Sequence, residues 1–263
     1  MKTLLGKDTR HSLSTRVLFY GLGLLAALSL KTLYSRGGSE DLKWILLPTA
    51  GLVEALTGLT FEYEKHAGFV DRSEGIIIAA SCAGVNYMII VFCSFYFSLL
   101  PRFKGSGAKL AWLGCSLGLA YLVTLGANAV RIMLSILLFE ADIYGGWVTP
   151  ERVHRIEGTV VYFLFLLVTY MLMGKGVEYL KPRAVARRRP TGPRHQALVS
   201  LCLAFLVPFF WYGLVTIVIP LVNGAAEVQE TKFLEHSVIV LSISVGVLLA
   251  FFSIVCFAEQ GGA

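Results

Sequence analysis

The chain has 263 residues, 56% of them hydrophobic and only 15% charged, with a mean hydropathy of +0.70. Soluble domains carry about 25% charged residues, so this composition excludes an ordinary soluble fold and describes a protein built for a bilayer. A net charge of +6 and a pI near 9.1 would suit nucleic-acid binding, but the basic residues occupy short loops between apolar stretches, where they set membrane orientation; no nucleic-acid partner is expected.

Six stretches are long and apolar enough to be predicted as transmembrane helices, at about 17–34, 82–100, 110–128, 157–174, 197–219 and 237–257. The first is read as a retained helix and not a cleaved signal, because Lys31 and Tyr34 make it too polar and no small-residue cleavage site follows. Segment 44–60 is a seventh apolar stretch, but it is short, contains Pro48 and carries Glu54, whose burial at mid-membrane costs at least about 2.5 kcal/mol. Counting it as a span would also force the basic loop 101–109 to the outside. It is therefore expected to be an outer-surface or re-entrant helix.

Residues 35–81 then form one extracytoplasmic insert in which acids (Glu40, Asp41, Glu54, Glu62, Glu64, Asp71, Glu74) outnumber bases (Arg36, Lys43, Lys65, Arg72). Within it, FEYEK and EGIIIAAS flank HAGFVDRS, and the alternation of Phe61, Tyr63 and Lys65 followed by a β-branched run suggests a small β-hairpin leading to Cys82. Segment 175–196 carries Lys175, Lys181, Arg183, Arg187, Arg188, Arg189 and Arg194 against the single acid Glu178, which makes it cytoplasmic. The expected product is an all-α polytopic protein of the cytoplasmic (inner) membrane with both termini inside. Segments 35–81, 128–156 and 220–236 lie outside, and membrane lipids are its surroundings.

On this topology Cys82, Arg131 and His154 all reach the outer boundary, although none of them was used to derive it. Cys82 begins a helix entering the membrane, where unpaired N–H groups and the helix dipole favour an anion. Arg131 lies in the apolar run GANAVRIMLSILLF, where an arginine is expensive enough to suggest function; snorkelling to the interface is the structural alternative. Asn128 precedes it by one helical turn. His154 has Gly158 four residues on, on the same face, and Glu151, Arg152, Arg155 and Glu157 around it suggest a solvated interfacial turn. Cys93, Cys115, Cys202 and Cys256 lie in apolar spans and are read as packing residues. His66 and His236 fall in hydrophilic loops and His11 and His195 in basic segments, and no chemistry is assigned to them. Five cysteines without CxxC or Cys/His spacing imply no disulfide framework and no metal site, and no cofactor is expected. The absence of HExxH motifs, glycine-rich phosphate loops and paired carboxylates argues against metalloprotease, ATPase and glycosidase readings.

The order and spacing of Cys82-Ala83-Gly84, Asn128-Ala129-Val130-Arg131 and His154 to Gly158 resemble the motifs of the exosortase and archaeosortase superfamily, with the compact exosortase K type as the nearest variety. Ala83 stands where many members have serine. The resemblance covers roughly residues 17–180, and it implies a cysteine protease or transpeptidase with Cys82, Arg131 and His154 as catalytic residues and Asn128, Gly84 and Gly158 in support. It further implies exported substrate proteins bearing a C-terminal sorting signal (a short motif such as Pro-Glu-Pro, a transmembrane helix and a basic cluster), with a lipid or glycan as acceptor. The expected organisation is a catalytic core at 1–180, a basic cytoplasmic linker at 181–196 and two additional transmembrane helices at 197–263. The rival reading is a non-enzymatic transporter or assembly subunit in which Arg131 contacts an anion or serves structure. The lack of an internal repeat and of matched broken helices argues against a transporter.

Overall fold

A computed structural model of the chain describes residues 2–141, 143–179, 193–224 and 230–260. Its helices are α1 (Lys2–Arg36), α2 (Lys43–Thr57), α3 (Val85–Leu99), α4 (Ser106–Glu140), α5 (Pro150–Tyr179), α6 (Pro193–Gly213), α7 (Ile219–Val222) and α8 (Glu230–Gln260). A π-helical stretch, Leu214–Val218, joins α6 to α7. Strands β1 (Glu62–Glu64), β2 (Gly68–Asp71) and β3 (Ile76–Ile78) lie between α2 and α3.

Among the described residues six segments are long and apolar enough to cross a membrane: Ser14–Arg36, Ala80–Arg102, Ser106–Glu140, Pro150–Val177, Cys202–Val222 and Thr231–Ile254. They coincide with the six stretches read from the sequence, and the chain is an all-α polytopic membrane protein with a small sheet. Large apolar side chains such as Leu25, Leu122, Leu206 and Leu249 remain exposed on the outside of the bundle, where lipid covers them.

The bundle is arranged around α3, which packs against α1, α4, α5 and α6. It is apolar on every side and is buried from Tyr87 to Tyr96, the pattern of a helix with no solvent or lipid face. The Tyr96 hydroxyl donates to the Phe19 carbonyl at 2.7 Å, and Gly23 of α1 lets the Tyr96 ring approach so closely that a Cβ there would lie 2.2 Å from it. On the other side Phe97 stacks on Trp211 of α6, and Phe163 of α5 meets Tyr212 of α6 edge-on. Phe205 and Tyr212 of α6 and Val240 of α8 therefore share one hydrophobic core with the earlier helices. The basic segment 181–196 falls mostly outside the described residues.

Helix α2 has 15 residues, about 22 Å, short of the roughly 30 Å hydrocarbon core, which fits its exclusion from the spans. It buries Ile45, Leu46, Thr49, Ala50 and Val53, and packs along α4. Pro48 has no N–H to offer the carbonyl of Trp44 one turn back, and that carbonyl instead accepts the Tyr121 hydroxyl of α4 at 2.8 Å. Glu54 does not face lipid: its carboxylate accepts the Phe61 N–H at 2.7 Å and ties the helix to the sheet.

The insert differs from the expected hairpin. Its sheet is a three-stranded antiparallel meander in the order β1-β2-β3, and HAGFVDRS supplies the central strand instead of a turn. The physical reason is two turns where one was read, one at His66, in the left-handed region with φ 71°, and one closing at Gly75 with φ 69°. Gly68 is required at the head of β2, because its φ is 123° and a Cβ would sit 2.4 Å from the Ile78 carbonyl oxygen. Asp71 holds the second turn: it accepts the Ser73 hydroxyl at 2.5 Å, the Glu74 N–H at 2.9 Å and the Thr60 N–H at 3.0 Å. Those bonds, the Ser73 hydroxyl foremost, hold its carboxyl below the usual carboxylate range.

Two loops are shorter than the sequence suggested. Helix α4 continues nine residues past Arg131 to Glu140, because no glycine or proline interrupts RIMLSILLFE, and α5 begins at Pro150. Residues 141–149, not 128–156, are the connection. Thr149 starts α5 by accepting the Arg152 N–H at 3.3 Å, with Pro150 at the first helical position and Glu151 in the first turn. Likewise His236 lies within α8, half-buried, and not in a loop.

Candidate functional site

Cys82 sits in a 3-10 turn, Ala80–Ala83, that follows β3, and Gly84 then links the turn to α3. Gly84 serves this junction twice. Its φ of 69° is the left-handed conformation that ends the turn, and a Cβ on it would meet Thr124 at 3.2 Å, the Tyr162 hydroxyl at 3.3 Å and Asn128 at 3.4 Å. The turn is thus pressed against α4 and α5. Ala83 is fully buried, so no hydroxyl at that position is needed for the turn to pack.

Asn128 fixes the turn from the α4 side. It is wholly buried, its Nδ2 donates to the Cys82 carbonyl at 2.5 Å, and its Oδ1 accepts the Tyr162 hydroxyl at 2.8 Å. Tyr162 in turn accepts from Nη1 of Arg131 at 3.1 Å and stacks on Tyr87 of α3, with ring centroids 4.3 Å apart. The Cys82 main chain and the Arg131 guanidinium are therefore three hydrogen bonds apart, through Asn128 and Tyr162. Cys82 lies within electrostatic range of Arg131, Tyr162 and also Tyr34 of α1.

Arg131 is largely enclosed by the bundle, with 11% of its side chain exposed, and its guanidinium turns to partners on α5. Its Nη2 contacts His154 Nε2, and its Nε lies 3.6 Å from Glu157 Oε1. A guanidinium only donates, so Nε2 of His154 must be an acceptor and the imidazole carries its proton on Nδ1. That Nδ1–H donates to Ser135 Oγ at 3.1 Å, and the Ser135 hydroxyl donates to Glu157 Oε1 at 2.7 Å. The result is one directed chain, Arg131 to His154 to Ser135 to Glu157. Gly158 is what admits the arginine: a Cβ there would lie 3.0 Å from Arg131 Nε and 3.5 Å from its Cδ.

The solvated turn expected around His154 holds for His154 and Glu151, whose side chains are 48% and 64% exposed, but not for Glu157. Glu157 is buried, at 7% exposure, because the second turn of α5 packs its Glu157 face toward Ser135 and Arg131 of α4. Arg155 pairs with Glu151, and Arg152 pairs with Glu235 of α8 at 2.5 Å.

Two cavities flank this network. One, of about 570 Å³, has largely apolar walls from Ile76–Ile78, Ile132, Ile136 and Phe139, and Cys82, Ser135, His154 and Glu157 on its polar side. The other, of about 220 Å³, lies between α3, α5, α6 and α8 and is lined by Arg131, His154 and Tyr162 among others. His154 borders both, and Arg131 and its partners form the partition.

The structure therefore brings Cys82, Arg131 and His154, with Asn128, Gly84 and Gly158, into one cluster assembled from three separate stretches of chain. Tyr162, Ser135 and Glu157 belong to it too and were not singled out from the sequence. A helical signal for them existed: Asn128, Arg131 and Ser135 are spaced by three and four residues, and His154, Gly158 and Tyr162 by four and four, so each set occupies one face. Among the described residues no group of His, Cys, Asp or Glu could hold a metal ion. No protein-family model, curated protein or solved structure matches this chain.

Proposed function

We propose that this protein is a membrane-embedded cysteine peptidase or transpeptidase of the exosortase and archaeosortase kind, which cuts C-terminal sorting signals of exported proteins at the outer face of the cytoplasmic membrane. The observation that carries the reading is the hydrogen-bonded link from the Cys82 turn through Asn128 and Tyr162 to Arg131 and His154, beside a cavity that Cys82 and His154 share. Three weak motifs from distant parts of the chain meet at one place. The insert and the site lie on the same end of the bundle, which the acidic bias of residues 35–81 assigns to the outside.

In the mechanism His154 Nε2 takes the Cys82 thiol proton as the substrate carbonyl draws the Arg131 guanidinium away from it. The thiolate sulfur attacks the scissile carbonyl carbon, and Arg131 stabilises the oxyanion. The imidazolium is supported through Ser135 by Glu157. Collapse breaks the C–N bond, His154 returns the proton to the departing amine, and a thioester remains on Cys82. A lipid or glycan acceptor, or water, completes the cycle. The apolar walls of the larger cavity suit a substrate segment continuous with a transmembrane helix.

The test is co-expression with an exported reporter ending in a Pro-Glu-Pro motif, a hydrophobic helix and a basic cluster. Cys82→Ala abolishes processing while the protein still accumulates in the membrane, and replacing Cys93, Cys115, Cys202 and Cys256 together leaves it largely intact. Continued cleavage by Cys82→Ala removes the cysteine mechanism.

A further inference from the structure

The smaller cavity lies on the opposite side of the Arg131–His154 partition from Cys82, which does not line it. Its lining residues include two arginines, Arg131 and Arg155, and two histidines, His154 and His236, together with the hydroxyl residues Thr159, Tyr162, Tyr212 and Thr216. No carboxylate is among its described lining residues. His236, from α8, lies within electrostatic range of Arg155, from α5, so an arginine and an imidazole face one space from different helices. Asn86 completes the wall on α3. Its Oδ1 accepts the Lys31 ammonium at 2.9 Å, so its amide nitrogen is the end left for a ligand and a further cation stands behind it.

The acids that pair with these arginines lie outside the cavity lining. Glu157, 3.6 Å from Arg131 Nε, borders the larger cavity instead, and Glu151, the partner of Arg155, is largely exposed. Arg131 Nε itself is buried without a hydrogen-bond partner. The Thr159, Thr216 and Tyr162 hydroxyls already donate to the Arg155 carbonyl, the Tyr212 carbonyl and Asn128 Oδ1, so the donors open to a ligand are the guanidinium N–H groups, the Asn86 amide and the His236 ring, and gathering these among apolar helices is costly unless an anion answers them.

We propose that this cavity is a binding site for a phosphate group, carried either as a phosphodiester headgroup or as free phosphate. A phosphate offers oxygen acceptors in several directions, matching donors that converge from α3, α4, α5 and α8, whereas a planar carboxylate would engage one fork. The volume of about 220 Å³ holds a phosphate with a small substituent but not a lipid's acyl chains, which would remain outside among the helices. This inference stands apart from the peptidase reading. It shares Arg131 and His154 with that site but is tested at Arg155 and His236.

Full-length protein in dodecyl maltoside is titrated calorimetrically with sn-glycero-3-phosphoethanolamine and, separately, with inorganic phosphate. Saturable binding is expected, weakened at least tenfold in Arg155→Gln and in His236→Gln. Each variant is accepted only if Cys82 reacts with maleimide at the wild-type rate. Tenfold preference for the diester identifies a lipid headgroup as the source, and equal affinity identifies free phosphate. No saturable binding of either probe, or unchanged affinity in both variants, overturns the site. Reporter processing, measured in parallel, reads the Cys82 chemistry alone, so loss of one reading leaves the other standing.

Discussion

Gly158→Ala isolates the geometry of Arg131 without touching any of its polar partners. Position 158 is inside α5, where alanine is favoured over glycine by about 1 kcal/mol, so on propensity alone the variant would be more stable. The added Cβ would lie 3.0 Å from Arg131 Nε, some tenths of an ångström inside ordinary contact. The arginine cannot simply swing aside, since its backbone is fixed in α4 and its head is held by Tyr162, His154 and Glu157. Displacing the guanidinium forfeits one charge-assisted bond, about 1.5–3 kcal/mol, which corresponds to roughly a 10- to 100-fold slower reaction. The expected result is thus a protein destabilised by about 0.5–2 kcal/mol, the lost bond less the propensity gain, which labels normally at Cys82 and processes the reporter at least tenfold more slowly in initial-rate assays at matched levels. A normal rate would refute the claim that Gly158 exists to seat Arg131.

Tyr162→Phe removes the hydroxyl that joins Asn128 to Arg131 and leaves both without that partner; it should cost about 1–3 kcal/mol in thermal unfolding and lower the processing rate. Arg131→Lys keeps the charge but loses the planar fork that reaches Tyr162 and His154 together, so processing should fall at least roughly tenfold with Cys82 labelling intact; a near-normal rate would return Arg131 to a structural role. The Asp71 carboxyl titrates below its unfolded value near 3.9, so the stability it lends the β2–β3 turn is fully present above about pH 4 and is lost as the pH falls through the lower folded value. Hydrogen-exchange protection of Ile76–Ile78, corrected for intrinsic rates, should drop over that acid window, and Asp71→Asn should be weakly protected throughout.

The sequence by itself determined the number and position of the spans, because a hydrocarbon core demands about 20 apolar residues per crossing and leaves little latitude. It also set α2 apart from the six spans, through Pro48, Glu54 and loop charge, and it singled out Cys82, Arg131 and His154 as costly or reactive groups. It misjudged what lies between: the insert became a meander because His66 and Gly75 each reverse the chain, and α4 ran on to Glu140 because nothing in RIMLSILLFE stops a helix. Only the tertiary structure decided that Glu157 is buried, that Tyr162 joins Asn128 to Arg131, and that Arg131 sets the tautomer of His154. Those facts depend on which faces of α3, α4 and α5 meet. Helix-to-helix rotation within an apolar bundle is chosen by small contacts such as the space above Gly84 and Gly158, which local sequence pattern does not encode.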